Sequence, residues 1–592
     1  MLDAGPTGDN KMAMNQNIAL LENNPMTLPF SNARTGGKIL VDQLLIHGAD
    51  MAFCVPGESY LEVLDALFDV RDRFKLVNAR HEAGAANMAE AYGKLTGKPG
   101  ICMVTRGPGA CHAAVGVHTA FQDSTPMILL IGQVGRDMMD REAFQEIDYR
   151  QMFGPVAKWA AQIDVTARIP EYIARAFHIA TSGRPGPVVL ALPEDMLTEV
   201  TQAGDAVCYQ PTQPAPPPQV FAPIRELLEA AKKPMILAGG PGWSDRASAQ
   251  LRDFAEANGI PVATSFRRQD SFDNRSACFA GDLGTSGPPA LVQRFKEADL
   301  LLVIGARLGE MTTQGYSIVS APRVRPKLVH VHADADELGK VFTPDLAVLS
   351  SANHFMAGLA DFRWFAADRW SAWRDSARTD YLNAVAAPNC TQALDVAAAM
   401  IELGKRIGDN AIVTLDAGNH TGWPQRYLTY ARPGRQIGPT NGAMGYSVPA
   451  AVAASLVHPD RVVIGCVGDG GFMMSGQEIA TAVQHGGKPI ILLFNNNMYG
   501  TIRMHQEREH PSRVVGTDLV NPDFVTMAQA MGAHAERITR TVDFAAALER
   551  AIAAGRPALI ELCTDPEQIS TRTTITNLRV AAEKRQSQTA AD

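Results

Sequence analysis

Three groups of residues have the types and spacing of a chemical site. The run Val462-Val-Ile-Gly-Cys-Val-Gly468 ends in Asp469-Gly470-Gly471, and a second apolar run, Ile490–Phe494, ends in Asn495-Asn496-Asn497. Ligands of open parallel sheets lie beyond the carboxyl ends of the strands, so Asp469 and Asn496 can face one site. A carboxylate, an amide oxygen and main-chain carbonyls make a hard oxygen site suited to Mg2+. Glycines at a helix start let backbone N–H groups approach a phosphate directly. Metal and phosphate cradle together call for a diphosphate ligand. A lone Gly-Asp-Gly reads as readily as a plain turn; the paired strand ends, with a helix expected over Gly476–His485 between them, decide for the site.

The second group is Arg80-His81-Glu82, delivered by an apolar run at 74–79 to the start of an Ala/Gly-rich helix. A carboxyl placed there can be desolvated and its pKa raised. By itself, Glu82 reads equally well as a helix cap or a surface acid. The third group is Gln145 with His81, His112 and His118. A histidine is a natural proton carrier near neutral pH, although a single one is as often structural.

The elements that must position these groups follow from hydrophobic patterning. Short apolar runs such as 51–55, 75–79, 101–105, 127–133 and 187–192 alternate with helical stretches at 39–47, 60–68 and 83–95. Strands buried on both faces and separated by helices indicate a doubly wound parallel sheet. The segment Pro211–Pro218 (PTQPAPPP) is extended and semi-rigid, hence a linker. Further strands at 235–238, 300–305 and 328–332 mark a second α/β block. Those at 412–415, 462–467, 490–494 and 558–562 mark a third. The expected division is an N-terminal arm (1–37), a first domain (38–205), a Pro-rich linker (206–220), a central domain (221–370), a second linker (371–389), a third domain (390–575) and a C-terminal tail (576–592).

With these residues in place, the sequence resembles the thiamine diphosphate (ThDP)-dependent enzymes of the acetolactate synthase-like group, from Lys38 to about Ile575. The resemblance rests on Arg80-His-Glu-Ala-Gly-Ala-Ala-Asn-Met-Ala-Glu-Ala-Tyr-Gly-Lys-Leu-Thr-Gly97, the Gly468-Asp469-Gly470 and Asn-Asn turns, and the stretches 105–109, 120–126 and 143–146. It implies an α/β fold of three consecutive doubly wound parallel-sheet domains: pyrimidine-binding, central and diphosphate-binding. It implies Mg2+ held by Asp469, Asn496 and the Met498 carbonyl, with Gly468, Gly470 and Gly471 at the diphosphate. Glu82 would hydrogen-bond to N1′ of the aminopyrimidine, and Gln145 would approach Glu82. Met444 would wedge under the bent cofactor, the Gly442 carbonyl would accept from N4′, and Asn419-His420 would replace the family's Gln-His contact. His118 is a further candidate catalytic group.

The implied reaction is decarboxylation of a 2-oxo acid such as pyruvate, followed by ligation to a second carbonyl. The partners expected are that small molecule and a second copy of the chain, a dimer at least with a tetramer common. Four departures stand out. Gly471 replaces the family's serine, Glu58-Ser59 follows Pro56-Gly57, Met504-His505-Gln506 replaces Gln-Trp-Gln, and Leu308-Gly309-Glu310 follows Gly305-Ala-Arg307 where FAD-binding members carry aspartates. The departures at Glu58 and His505 motivate an alternative, a ThDP-dependent lyase or hydrolase acting on a 2-hydroxy ketone, diketone or 2-hydroxyacyl thioester. The fourth leaves FAD open. A non-catalytic homologue is the third reading, and the intact Glu82, Asp469 and Asn496 speak against it.

Composition excludes other classes. A chain of 592 residues exceeds what one core of about 250–300 residues can organise. A net charge of −8 argues against a nucleic-acid partner. No apolar run approaches the roughly 20 residues of a membrane span. Eight cysteines without a CxxC pair point to a reducing cytoplasm, and the first 37 residues lack the pattern of a secretory signal.

Overall fold

A computed structural model describes residues 33–589 except 286, 360, 361, 388, 389 and 391. Residues 1–32 of the expected arm (1–37) lie outside the described residues. Arg34–Thr35 is already part of the first domain, pairing antiparallel with Val200–Thr201.

Each of three domains is a six-stranded, all-parallel sheet with helices on both faces. The first is built from Met51–Cys54, Lys75–Asn78, Gly100–Val104, Met127–Gln133, Trp159–Gln162 and Pro187–Pro193. Counted along the chain, its strands lie in the order second, first, third, fourth, sixth, fifth. The third domain uses Ile412–Leu415, Gln436–Ile437, Val463–Gly468, Ile490–Asn495, His534–Ile538 and Ala558–Cys563 in the same spatial order. The central domain differs. Its strands Pro234–Ala238, Val262–Thr264, Phe279–Asp282, Leu300–Ile304, Lys327–His332 and Leu346–Leu349 run third, second, first, fourth, fifth, sixth, the dinucleotide-fold order.

The first and third domains are joined inside one chain. The helix Glu82–Thr96 packs on Ser447–Val457, and a single apolar cluster runs from Phe53 and Ala85 through Tyr446 and Ala450 to Leu493. Alanines at 85, 86, 89, 450, 451, 453 and 454 line this contact, and small side chains let the two helices approach closely. At its edge the Lys94 ammonium is buried between Glu90 (3.0 Å), Asp123 and the Gly438 carbonyl (3.0 Å). Tyr446 donates to Glu90, and the Thr440 amide donates to Asp123 (2.8 Å).

Three connecting segments are tied to the domains beside them. The stretch read as a second linker contains the helix Ser371–Val385, whose Trp370 and Trp373 indoles donate to the Ala231 (3.1 Å) and Pro234 (3.0 Å) carbonyls of the central domain. The C-terminal tail is the helix Ile575–Thr589, held to Gly500–Glu509 by Arg579 on Glu507 (2.6 and 3.0 Å). The Pro-rich segment has no regular structure until a single 3-10 turn at Pro218–Val220, and it is tied down: the Tyr209 amide donates to His47 (3.1 Å) and the Ser351 amide to the Pro214 carbonyl (2.9 Å).

Candidate active site

Strands Val463–Gly468 and Ile490–Asn495 are neighbours in the third sheet, and Asp469 and Asn496 follow their carboxyl ends directly. A short separate helix, Asp469–Ser475, begins at the aspartate itself, and the helix expected over Gly476–His485 follows it as Glu478–His485. Gly470 and Gly471 cost this helix about 1 kcal/mol each in propensity, and packing explains them. A Cβ at Gly470 would stand 2.5 Å from the Tyr499 ring, and one at Gly471 would stand 2.7 Å from Asp416 Oδ1. The serine usual at that position has no room here.

These turns wall a cavity of about 260 Å3 lined by Gly418, Asn419, His420, Gly442, Met444, Gly468–Gly471, Asn496 and Met498. The Asp469 side chain is buried, and its partners are amides alone: Oδ1 accepts from the Gly470 N–H (3.0 Å) and Oδ2 from Asn521 Nδ2 (2.8 Å). Burial raises its carboxyl above the ordinary value, with the Asn521 and Gly470 donors opposing. A buried carboxylate without a cationic side chain, beside the Asn496 amide and the Met498 main chain, is a donor set that fits Mg2+. Gly442, at φ +74°, has nothing within 4 Å of where a Cβ would point, and Met444 projects into the cavity beside it. The His420 Nε2 is buried and unpartnered, and desolvation, aided by the Arg267 charge, pushes the imidazole down to about 3. Asn419 is turned to the cavity rim, accepting from Thr501 (3.1 Å) and donating to the Ile569 carbonyl (3.0 Å).

Two residues that no motif announced hold this site. Asp416, fully buried, accepts the amides of Ala417 (2.9 Å), Gly445 (3.0 Å) and Ser447 (2.8 Å), and so fixes the loop carrying Gly442 and Met444. Arg267 of the central domain donates to its main-chain carbonyl (2.6 Å). Asn521 bridges Asp469 to Asn495 (3.0 Å) and Asn497 (3.2 Å).

The first-domain candidates lie elsewhere. Glu82 opens the helix Glu82–Thr96, with Oε2 2.9 Å from His112 Nδ1 and Oε1 facing Gly109. Gln145, at φ +67°, accepts the Gly107 amide through its carbonyl (2.9 Å), at the start of the helix that carries Gly109 and His112. His118, at the other end of that helix, is placed apart from Glu82. Its Nδ1 is 3.2 Å from Asn441 Nδ2, and it lines a separate cavity of about 400 Å3 between the three domains. No first-domain residue lines the Asp469 cavity.

Three sequence models cover these domains in order: the N-terminal TPP binding domain of thiamine pyrophosphate enzymes matches residues 34–152, the central domain matches 222–359, and the C-terminal TPP binding domain matches 416–562. The chain belongs to the thiamine pyrophosphate enzymes. Among its relatives, this thiamine pyrophosphate enzyme is 33% identical over 535 residues to an acetolactate synthase large subunit of Parasynechococcus marenigrum, covering 87% of this chain and 86% of the relative. The large subunit from Corynebacterium glutamicum is also 33% identical, with 87% and 84% covered. The mitochondrial catalytic subunit from Saccharomyces cerevisiae is 30% identical over 560 residues, with 90% and 81% covered. The chain is an enzyme, and thiamine diphosphate is its cofactor. No helix among the described residues is long and apolar enough to cross a membrane.

Proposed function

We propose that this thiamine pyrophosphate enzyme decarboxylates a 2-oxo acid of the pyruvate type and ligates the remaining fragment to a second carbonyl compound. The observation that carries the proposal is the cavity gathering Asp469, Asn496, Met498 and the glycine turns in a chain aligned with acetolactate synthases along most of its length. Glu58 and His505, which motivated the lyase or hydrolase alternative, do not line that cavity, and the alternative is not favoured.

When bound, thiamine diphosphate supplies the nucleophilic carbon and the electron sink that decarboxylation requires. The protein's part is to hold, orient and move protons. Asp469, Asn496 and the Met498 carbonyl are assigned to Mg2+, with Asn521 holding Asp469. Gly468, Gly470, Gly471 and the Asn419-His420 edge are assigned to the diphosphate, and Met444 with Gly442 to the bend of the cofactor. Glu82 is assigned to hold a proton at its carboxyl opposite the aminopyrimidine, with Gln145 nearby. Because Glu82 is absent from the Asp469 cavity of its own chain, we assign the completing Glu82 to a second copy. The exposed Met444, Met473, Met474 and Ile502 around the cavity support a protein partner on that side.

For a flavin, the support is the dinucleotide-fold strand order with the Gly239-Gly240 and Gly305 turns at its switch point. The donor set fits poorly: the Arg307 guanidinium is engaged by Glu337 (3.3 Å) and the Gln122 carbonyl (2.9 Å), and Glu310 adds a carboxylate. No step passes through a flavin. The eight unpaired cysteines suit the reducing cytoplasm proposed for the protein.

Incubating the purified protein with pyruvate, thiamine diphosphate and Mg2+ is expected to release CO2 and yield an acetolactate or acyloin. No product from a panel of 2-oxo acids would overturn the proposal. Preferential cleavage of a 2-hydroxyacyl thioester would replace it with the lyase.

A further inference from the structure

The Glu82 carboxylate has two differently placed oxygens. Oε1 lies 3.6 Å from where a Cβ of Gly109 would stand, whereas Oε2 is 2.9 Å from His112 Nδ1. Its ion-pair partner among the described residues is this imidazole, and no lysine or arginine pairs with it. The His112 ring lies against His81, with centroids 4.5 Å apart and planes tilted by 30°. His81 is itself fixed, because its Nδ1 accepts the Ala83 amide (3.1 Å) at the helix cap. The Glu82 side chain is 13% exposed and that of His112 is 51% exposed. The histidine therefore extends the largely buried carboxyl outward to the face of the first domain that the second copy is assigned to meet, and its orientation is set by one hydrogen bond and one ring contact.

We propose that His112 is the positioning residue and proton conduit of Glu82. His112 accepts the proton of a Glu82 carboxyl at Nδ1 as its Nε2–H is released to a water of the cleft. The carboxyl O–H breaks as Nδ1–H forms, the Nε2–H breaks as an O–H forms on the accepting water, and the reverse sequence recharges the carboxyl. Imidazole is suited to this because one ring nitrogen can take up a proton while the other gives one up. An asparagine amide keeps a hydrogen bond to the carboxylate but carries no proton. The proposal rests on the assignment of Glu82 to the cofactor's aminopyrimidine.

The test uses the full-length protein with thiamine diphosphate and Mg2+, and the variants His112→Asn and His112→Ala. Cofactor affinity is read from quenching of tryptophan fluorescence, since Trp423 lines the cavity. Proton handling is read as the rate at which the bound cofactor's thiazolium C2 proton exchanges with deuterium, by acid quench and NMR. Affinity is expected to stay within about threefold while exchange slows by about 100-fold in both variants, the usual weight of a proton-transfer group. Added imidazole is expected to restore part of the rate in His112→Ala. Parent-like exchange in His112→Asn, or parallel loss of affinity and exchange in both, would overturn the proposal. Glu82→Gln separates the two assignments. Normal exchange in that variant removes the Glu82 assignment and this proposal with it, whereas slow exchange there with normal exchange in His112→Asn removes only the role of His112.

Discussion

Asp469 and Asn496 were legible because each is welded to a strand end by a contiguous motif. Asp416 and Asn521 were not, since their work is to satisfy amides brought together only by the fold. Asp416 also explains the missing serine. Gly471→Ser would drive a Cβ into Asp416 Oδ1, 2.7 Å away, and loosen the loop that Asp416 holds through Gly445 and Ser447. Overpacking of this kind costs about 1–3 kcal/mol, so cofactor affinity should fall by about tenfold or more in a fluorescence titration. An unchanged affinity would show that Asp416 shifts freely. His118 was named for its residue type alone, and the fold turns it toward Asn441 and the cavity between the domains rather than toward Glu82.

At the level of elements, long fully buried strands such as Met127–Gln133 and Ile490–Asn495 declared themselves by composition. Gln436–Ile437 and Val262–Thr264, two and three residues long, are too short to leave a pattern and exist because neighbouring strands template them. The helix Asp469–Ser475 was missed because two glycines argue against it locally, and tertiary packing overrides propensity. Packing between elements also carries the largest stability risk. In Lys94→Met the carboxylates of Glu90 and Asp123 remain buried without their cation. Breaking a buried ionic group this way costs about 3–5 kcal/mol, and urea unfolding of Lys94→Met should report a loss of that order. A loss below about 1 kcal/mol would mean that one carboxyl is already protonated in the parent.

For the whole molecule, the three-domain plan was readable from length and repeated strand patterning. What the sequence could not convey is how the halves of the site meet, because Glu82 and Asp469 lie in different domains and nothing in one chain's pattern says whether they meet within a copy or between copies. Glu82→Gln and Asp469→Asn should each abolish product formation. Co-expressed, they should regain up to about a quarter of the parent activity, because a mixed dimer of two-fold symmetry rebuilds one native site. Mixtures that stay inactive would place the whole site within a single chain.

The apolar cluster shared by the first and third domains also constrains how the protein is made. The helix face around Ala85 and Ala86 finds its cover only when Ala450 and its neighbours have been synthesised. At about 5–20 residues per second, the nascent first domain waits roughly 20–70 s on the ribosome with that face open to water. Throughout that interval, chaperone capture competes with aggregation to decide how much of the chain reaches its native state.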